Sequence, residues 1–208
     1  SIFAWFSIIG ISVGVAAIII VMSVMNGFRI DLTNRIIGLN SHLNIYSFDN
    51  EITNKQADEL ILNIDNSFFY QHYKSIETNG LIIKSNNSKG VMIKGYDEYD
   101  KNHYLFNSIN MGTLIQNPKN EILIGDSLAN EMNLSVGDKV KIAIPKTDKT
   151  ILGNIPRFKT LEVVGVFDLG LYEYDSNLIF LSSELVRKLL LYDEDIYNKI
   201  EFFTLSPN

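Results

Sequence analysis

The sequence predicts an α+β protein: one N-terminal transmembrane helix followed by a mixed α/β domain rich in antiparallel strands. Three observations predict it. Residues 2–25 contain no charged side chain. Beyond residue 41, short runs of β-branched and aromatic residues recur between turn signals, as strands do. Helical periodicity interrupts those runs at only a few places, so strands outnumber helices and the helices are inserted between groups of strands.

The apolar run comes first. At about 1.5 Å per residue its two dozen residues span roughly 36 Å, enough to cross a hydrocarbon core of about 30 Å. No proline interrupts it, and Trp5 stands near one end, where interfacial aromatics sit. A secretory signal would need a basic leader, a shorter apolar core and a small-residue cleavage site, whereas Asn26-Gly27-Phe28-Arg29 follows here. A buried core helix is the other rival, but such helices seldom lack charge for this long. Gly10 and Gly14 form a GxxxG pair, and small residues at that spacing let two helices approach closely in lipid. Simple packing explains the glycines as well as any special role, and either reading gives the helix a partner in the membrane.

The helical pattern continues past Met25. Phe28, Ile30, Leu32, Ile36 and Ile37 alternate with Arg29, Asp31, Asn34 and Arg35, an amphipathic stalk to about Gly38, a candidate C-cap. The boundaries read as 1–26 for the membrane helix, 27–40 for the stalk and 41–208 for the folded domain. Ser1 stands where a full reading frame would begin with methionine, so the chain reads as part of something longer.

In the domain, residues 42–47 form a candidate strand. Thr53-Asn54-Lys55-Gln56 makes a capping box for a helix with apolar positions Ala57, Leu60, Ile61 and Ile64. Strands at 73–85 and 90–96 read as a hairpin around Asn86-Asn87-Ser88. A short strand at 121–124 leads through Gly125-Asp126-Ser127 into a helix to 133. Leu134 to Asp138 is a turn into a strand at 139–144. The stretches 159–168 and 178–181 read as β, Ser182 caps a helix over 184–191, and 199–205 is a last strand.

Between two of these strands lies a long connection, 145–158, whose apolar residues Ile151, Leu152 and Ile155 stand among Gly153 and Pro156. Loops of that length are uncommon unless used. A docking finger and an ordinary long hairpin are both consistent with it.

Composition narrows the chemistry. The formal net charge of −6, with acids scattered, argues against nucleic acid, which demands a basic patch. The chain has no cysteine, which excludes disulfides and thiolate metal sites. His42, His72 and His103 have no metal-like spacing. Glu173 and Asp175 would share a face if Tyr172-Glu173-Tyr174-Asp175 were a strand, although surface carboxylates are far commoner than catalytic ones. No phosphate loop, nucleophile elbow or dinucleotide fingerprint is present. The expectation is a chain that is not an enzyme and carries no metal or cofactor of its own.

The string Gly10-Ile11-Ser12-Val13-Gly14-Val15-Ala16-Ala17, running into Ser23-Val24-Met25-Asn26-Gly27-Phe28, resembles the first membrane helix of lipoprotein-releasing permeases of the LolC/LolE family, in the FtsX/MacB-like superfamily. The resemblance continues at Arg35-Ile36-Ile37-Gly38-Leu39, at Ile124-Gly125-Asp126-Ser127-Leu128-Ala129 and at Val136-Gly137-Asp138. Gly153-Asn154-Ile155-Pro156-Arg157-Phe158-Lys159 and Gly165-Val166-Phe167-Asp168-Leu169-Gly170-Leu171-Tyr172-Glu173-Tyr174-Asp175 carry it furthest.

The resemblance implies an inner-membrane ABC transporter subunit with four membrane helices and a MacB-like periplasmic domain after the first. It implies a second permease subunit and cytoplasmic ABC ATPase subunits that bind the ATP. It also implies a lipoprotein substrate and a periplasmic carrier of LolA type. One permease type of the family bears a hook for the carrier; the matching stretch is Thr150, Ile151, Leu152, Gly153, Asn154, Ile155, Pro156 and Arg157, although Ile151 replaces a usual proline and Asn154 a frequent arginine. Arg157 and Lys159 would hydrogen-bond the carrier. Gly10, Gly14, Met22, Met25 and Phe28 would meet lipoprotein acyl chains, membrane lipid or neighbouring helices. A macrolide-exporter type of permease and a bitopic periplasmic scaffold that activates a cell-wall hydrolase are the alternative readings.

Overall fold

A computed structural model describes residues 2–39, 41–47, 51–64, 69–99, 103, 105–150 and 153–204. The chain divides into two compact units, residues 1–40 and 41–208.

The first unit is a single helix, α1 (Ile2–Leu39). It contains both the apolar run and the amphipathic continuation without a break. Its stretch Ile2–Asp31 is long and apolar enough to cross a membrane, and none of it is buried within the chain. Gly38 lies inside the helix rather than just beyond it, so it is not the C-cap; a glycine so near a terminus interrupts little of the backbone ladder.

The second unit is built on a nine-stranded sheet. Its elements in order are β1 (Leu43–Tyr46), β2 (Ile52–Thr53), α2 (Asn54–Asn63), β3 (Phe69–Lys84) and β4 (Asn87–Tyr96). A 3-10 turn (Phe106–Ser108) then leads to β5 (Ile109–Gly112), β6 (Glu121–Gly125), α3 (Asp126–Met132), β7 (Lys139–Thr150) and β8 (Gly153–Phe167). The chain closes with α4 (Tyr172–Asn177), β9 (Leu178–Ser182), α5 (Ser183–Leu190), β10 (Ile196–Tyr197) and β11 (Lys199–Thr204). The main sheet runs β1-β11-β3-β4-β9-β6-β8-β5, with β7 pairing both β3 and β8; β10 and β2 form a separate two-stranded ribbon. The pairs β4·β9 and β6·β8 are parallel and the other ladders among the described residues antiparallel, so the sheet is mixed, as the sequence led us to expect.

Local chemistry accounts for the element ends. The Thr53 hydroxyl accepts from the Gln56 N–H while the Gln56 side chain accepts from the Thr53 N–H, the reciprocal box read from the sequence. The Ser182 hydroxyl accepts from Leu185 N–H at 3.2 Å and starts α5. Asn133 and Leu191 end α3 and α5 in the left-handed region. β3 and β4 join through Ser85 and Asn86 alone, with Lys84 opposite Asn87, so the turn is shorter and earlier than the sequence suggested.

One face of the sheet carries the main core. Ile76, Ile82, Ile93, Ile122, Ile124, Ile142, Val163 and Ile179 are fully buried there, under Leu128 of α3 and Val186 of α5. A smaller cluster lies under α2, where Ala57 and Ile61 meet Ile52, Ile200 and Phe202. At about 25 cal/mol per Å² of apolar surface, such layers are the dominant favourable term in the fold.

Candidate functional site

The connection between the seventh and eighth strands is not a loop. β7 and β8 stay paired from Lys139↔Glu162 out to Thr150↔Gly153, with one register shift between Ile144 and Thr147. The inner part of this ladder belongs to the core: Val140, Ile142, Leu161 and Val163 are buried. Further out the situation changes. β3 pairs β7 only over Lys141 to Ala143, and β6 pairs β8 only from Glu162 onward. Among the described residues the strands therefore continue past Ala143 and Phe158 as a two-stranded ribbon, roughly 20 Å long at about 3.3 Å per residue. Sequence reading left the form of this hairpin open, because Lys146-Thr147-Asp148-Lys149 has no apolar alternation to mark a strand.

Of the hook residues named above, Thr150 pairs with Gly153, and Asn154, Ile155 and Pro156 pair with Lys149, Asp148 and Thr147. Ile151 and Leu152 lie outside the described residues. Proline suits a ribbon edge because it has no N–H to contribute.

Arg157 has a partner within the domain. Its Nη1 donates to the Lys188 carbonyl at 3.1 Å, in the last turn of α5. A guanidinium there satisfies an orphan helix carbonyl and lies against the negative end of the helix dipole. It fastens the root of the ribbon to the domain. Beside it, Leu81, Ala143 and Phe158 stand in one row across β3, β7 and β8. Leu81 and Phe158 remain about half exposed, so the ribbon's root has an apolar shoulder.

On α1, Gly10 and Gly14 have nothing within 4 Å of where a Cβ would stand. Met22, Met25 and Phe28 are exposed along the same helix. The glycine surface can thus receive another helix, and no contact within this unit occupies it.

The carboxylate pair is not brought together. Tyr172 to Asp175 fold as the start of α4, not as a strand. Glu173 points outward, while Asp175 is 3% exposed and accepts the N–H groups of Leu169 at 2.8 Å and Leu171 at 3.2 Å. Burial raises the Asp175 pKa against the pull of those amides, and the neighbouring Asp168 adds to the rise. Its work is structural: it holds the turn before α4. The histidines are likewise dispersed. His42 accepts the Thr204 N–H at 2.8 Å, His72 lies exposed on β3, and His103 is buried among Tyr73, Tyr96 and Tyr99. Among the described residues no three potential ligands gather as a metal site.

A buried ionic cluster escaped the sequence reading altogether. Glu201 on β11, 1% exposed, accepts from Lys94 at 3.2 Å, from Lys199 at 2.9 Å and from the Tyr96 hydroxyl at 2.5 Å. Lys199 also reaches Glu77 at 3.0 Å. Burial alone would raise the Glu201 pKa, but Lys94 and Lys199 pull it down to about 2. Burial works against the Lys199 ammonium too, and Glu201 and Glu77 more than offset it, so its pKa rises. Charges alternating along a strand ordinarily mark a solvated face, which is why nothing in the sequence flagged them. The cluster joins β11, β3 and β4, and Ser41 adds a hydroxyl 3.5 Å from Glu201.

Comparison with known proteins gives this geometry its context. The family model described as the MacB-like periplasmic core domain matches residues 4–201. The lipoprotein-releasing system transmembrane protein LolC of Neisseria meningitidis serogroup B is 27% identical over 198 residues, covering 91% of this chain and 46% of that protein. LolE of Haemophilus influenzae is 25% identical over 211 residues, covering 98% of this chain and 50% of its own length. The solved periplasmic region of MacB from Actinobacillus actinomycetemcomitans shares the fold at a TM-score of 0.52 and 12% identity, covering 82% of this chain and 77% of that one. The chain spans about half the length of the curated relatives it matches. With an apolar N-terminal helix, a mixed domain and a family match over nearly its whole extent, the chain belongs to the MacB-like periplasmic core domain family, and its relatives there include the LolC and LolE permeases.

Proposed function

We propose that this chain is part of an ABC transporter permease that releases lipoproteins from the bacterial inner membrane and passes them to a periplasmic carrier of LolA type. The observation that carries the reading is the β7–β8 ribbon, paired to its end and fastened at its root by Arg157. A stiff projection of this kind suits the capture of a partner better than an unstructured link does. In this reading Thr150 to Pro156 form the carrier-binding hook, and Leu81 and Phe158 form a shoulder beside it. Arg157 positions the hook instead of touching the carrier.

α1 anchors the chain in the inner membrane with the folded unit in the periplasm. Its Gly10 and Gly14 pack against a helix of a second permease subunit, and Met22, Met25 and Phe28 meet acyl chains or lipid, for which flexible thioethers are suited. ATP is bound and hydrolysed by cytoplasmic partner subunits, and this chain performs no covalent chemistry. An uninterrupted helix leading out of the bilayer transmits displacement that a flexible linker would absorb. The test is reconstitution of the full-length protein with its ATPase and sister permease in vesicles holding a triacylated lipoprotein. ATP-dependent transfer of the lipoprotein to added carrier supports the reading, and ATP hydrolysis with no transfer refutes it.

A further inference from the structure

β3 is 16 residues long and shares one of its edges between two partners. β4 covers the other edge from Ser75 to Lys84. On the shared edge β11 pairs with it from Phe69 to Ser75, and β7 from Leu81 to Ile83. Between them Ile76 to Gly80 face no strand among the described residues. In a ladder, alternate residues send both backbone groups to the same side. Glu77 sends its pair to this open edge, so Asn79 and Leu81 do too.

At Glu77 a side chain closes the edge. Asn198 immediately precedes β11; its Oδ1 accepts the Glu77 N–H at 2.8 Å and its Nδ2 donates to the Glu77 carbonyl at 2.7 Å. The backbone roles are fixed, so the amide fits only this way round. The carboxamide thus extends the β11 ladder by one position, and Lys199 holds the Glu77 side chain beside it at 3.0 Å. Across the gap, the register of Leu81↔Ala143 would continue with Pro145 opposite Asn79 and Thr147 opposite Glu77, and neither pair forms. Pro145 has no N–H for the Asn79 carbonyl, and the Asn198 amide fills the place at Glu77. Pro145 and Lys146 are also the residues of β7 that no residue of β8 opposes, a bulge at the point where the ribbon leaves the sheet.

We propose that Asn198 and Pro145 are positioning residues that set where the β7–β8 ribbon leaves β3, and so where it points. An unfilled strand edge recruits backbone that can pair with it, and the nearest is β7 itself. With both blocks removed, β7 zips onto β3 as far as Thr147 and stops there, because Ser75 belongs to Lys199. The ribbon then lies along the edge of β3 and no longer stands off it. Arg157 holds the root on the β8 side, while Asn198 and Pro145 keep the β7 side from closing. The consequence for carrier capture rests on the reading of the ribbon as a hook; the point of departure does not.

The test is a spin-label distance in the full-length protein, with any other cysteine replaced. One label is at Thr150→Cys on the ribbon and the other at Leu62→Cys on α2, a position 78% exposed. Asn198→Ala and Pro145→Thr are made singly and together. Each single variant keeps one block and is expected to retain the single distance maximum of the unaltered protein. The double variant is expected to show a second, separate maximum and a several-fold loss of carrier capture, while its thermal unfolding stays cooperative. One unchanged maximum in the double variant overturns the inference. A second maximum with undiminished capture upholds it and refutes the hook instead. Should the double variant not fold, Asn198→Asp with Pro145→Thr replaces it, since aspartate matches asparagine in size but has no donor for the Glu77 carbonyl. The same two outcomes then decide.

Discussion

The Arg157 guanidinium donates to the carbonyl of Lys188 at 3.1 Å, tying the base of a projecting β-ribbon to the last turn of α5. A two-stranded ribbon is marginally stable by itself, so its direction depends on how its root is held. Arg157→Ala should leave the ribbon paired but loosely aimed. The expected outcome is a stability loss of about 1 kcal/mol, since the side chain is partly exposed. Hydrogen exchange should quicken over residues 147–156, and capture of the carrier should weaken several-fold. Unchanged exchange in the ribbon would show that Arg157 does not hold it.

Glu201 gives a pH dependence with a definite sign. Its carboxyl is held at about 2 in the folded protein against an ordinary value of 4.5. A depressed acid contributes stability that is fully present above the unfolded value and is lost as pH falls through the folded one. Thermal unfolding should therefore lose about 3 kcal/mol between roughly pH 5 and pH 2 through this group. In Glu201→Gln that contribution should vanish. The variant should also be less stable at pH 7 by about 3 kcal/mol, because Lys94 and Lys199 lose their buried partner. Calorimetry across that pH range compares the two directly.

Gly125 ends β6 at a point where a Cβ would stand 2.1 Å from the Asp175 carbonyl oxygen. Backbone is on both sides of that contact, so neither partner can yield cheaply. Gly125→Ala should cost about 2–3 kcal/mol in a denaturant titration, as overpacking does. This explains the glycine of the Ile124-Gly125-Asp126 motif: α4 and its preceding turn lie against the backbone there.

The open surface at Gly10 and Gly14 leads to a different expectation. Gly14→Leu fills the space a neighbouring helix would occupy. Co-purification with the sister permease should fall, while membrane insertion stays intact. Normal co-purification would remove the glycines from the subunit contact.

Legibility in the sequence followed the physics of each element. α1, the Thr53 capping box, the Ser182 cap and most core strands announced themselves through periodicity and end chemistry. Tyr172 to Asn177 did not, because alternating tyrosines and carboxylates imitate a strand, and only burial of Asp175 against the Leu169 and Leu171 amides makes the short helix. β2, β5 and β10 are too short to show a period. Lys94, Lys199 and Glu201 look like surface charge until β3 brings β4 and β11 together around them. The long connection that holds the candidate hook was legible, but its paired form was not, since Lys146-Thr147-Asp148-Lys149 lacks the apolar alternation that marks a strand.

The most direct measurement is carrier capture by the full-length permease carrying Leu152→Glu and Pro156→Glu. Loss of pull-down with normal membrane insertion and normal assembly with the sister permease is the expected result. Pull-down equal to that of the unaltered protein would contradict a ribbon that works by gripping the carrier.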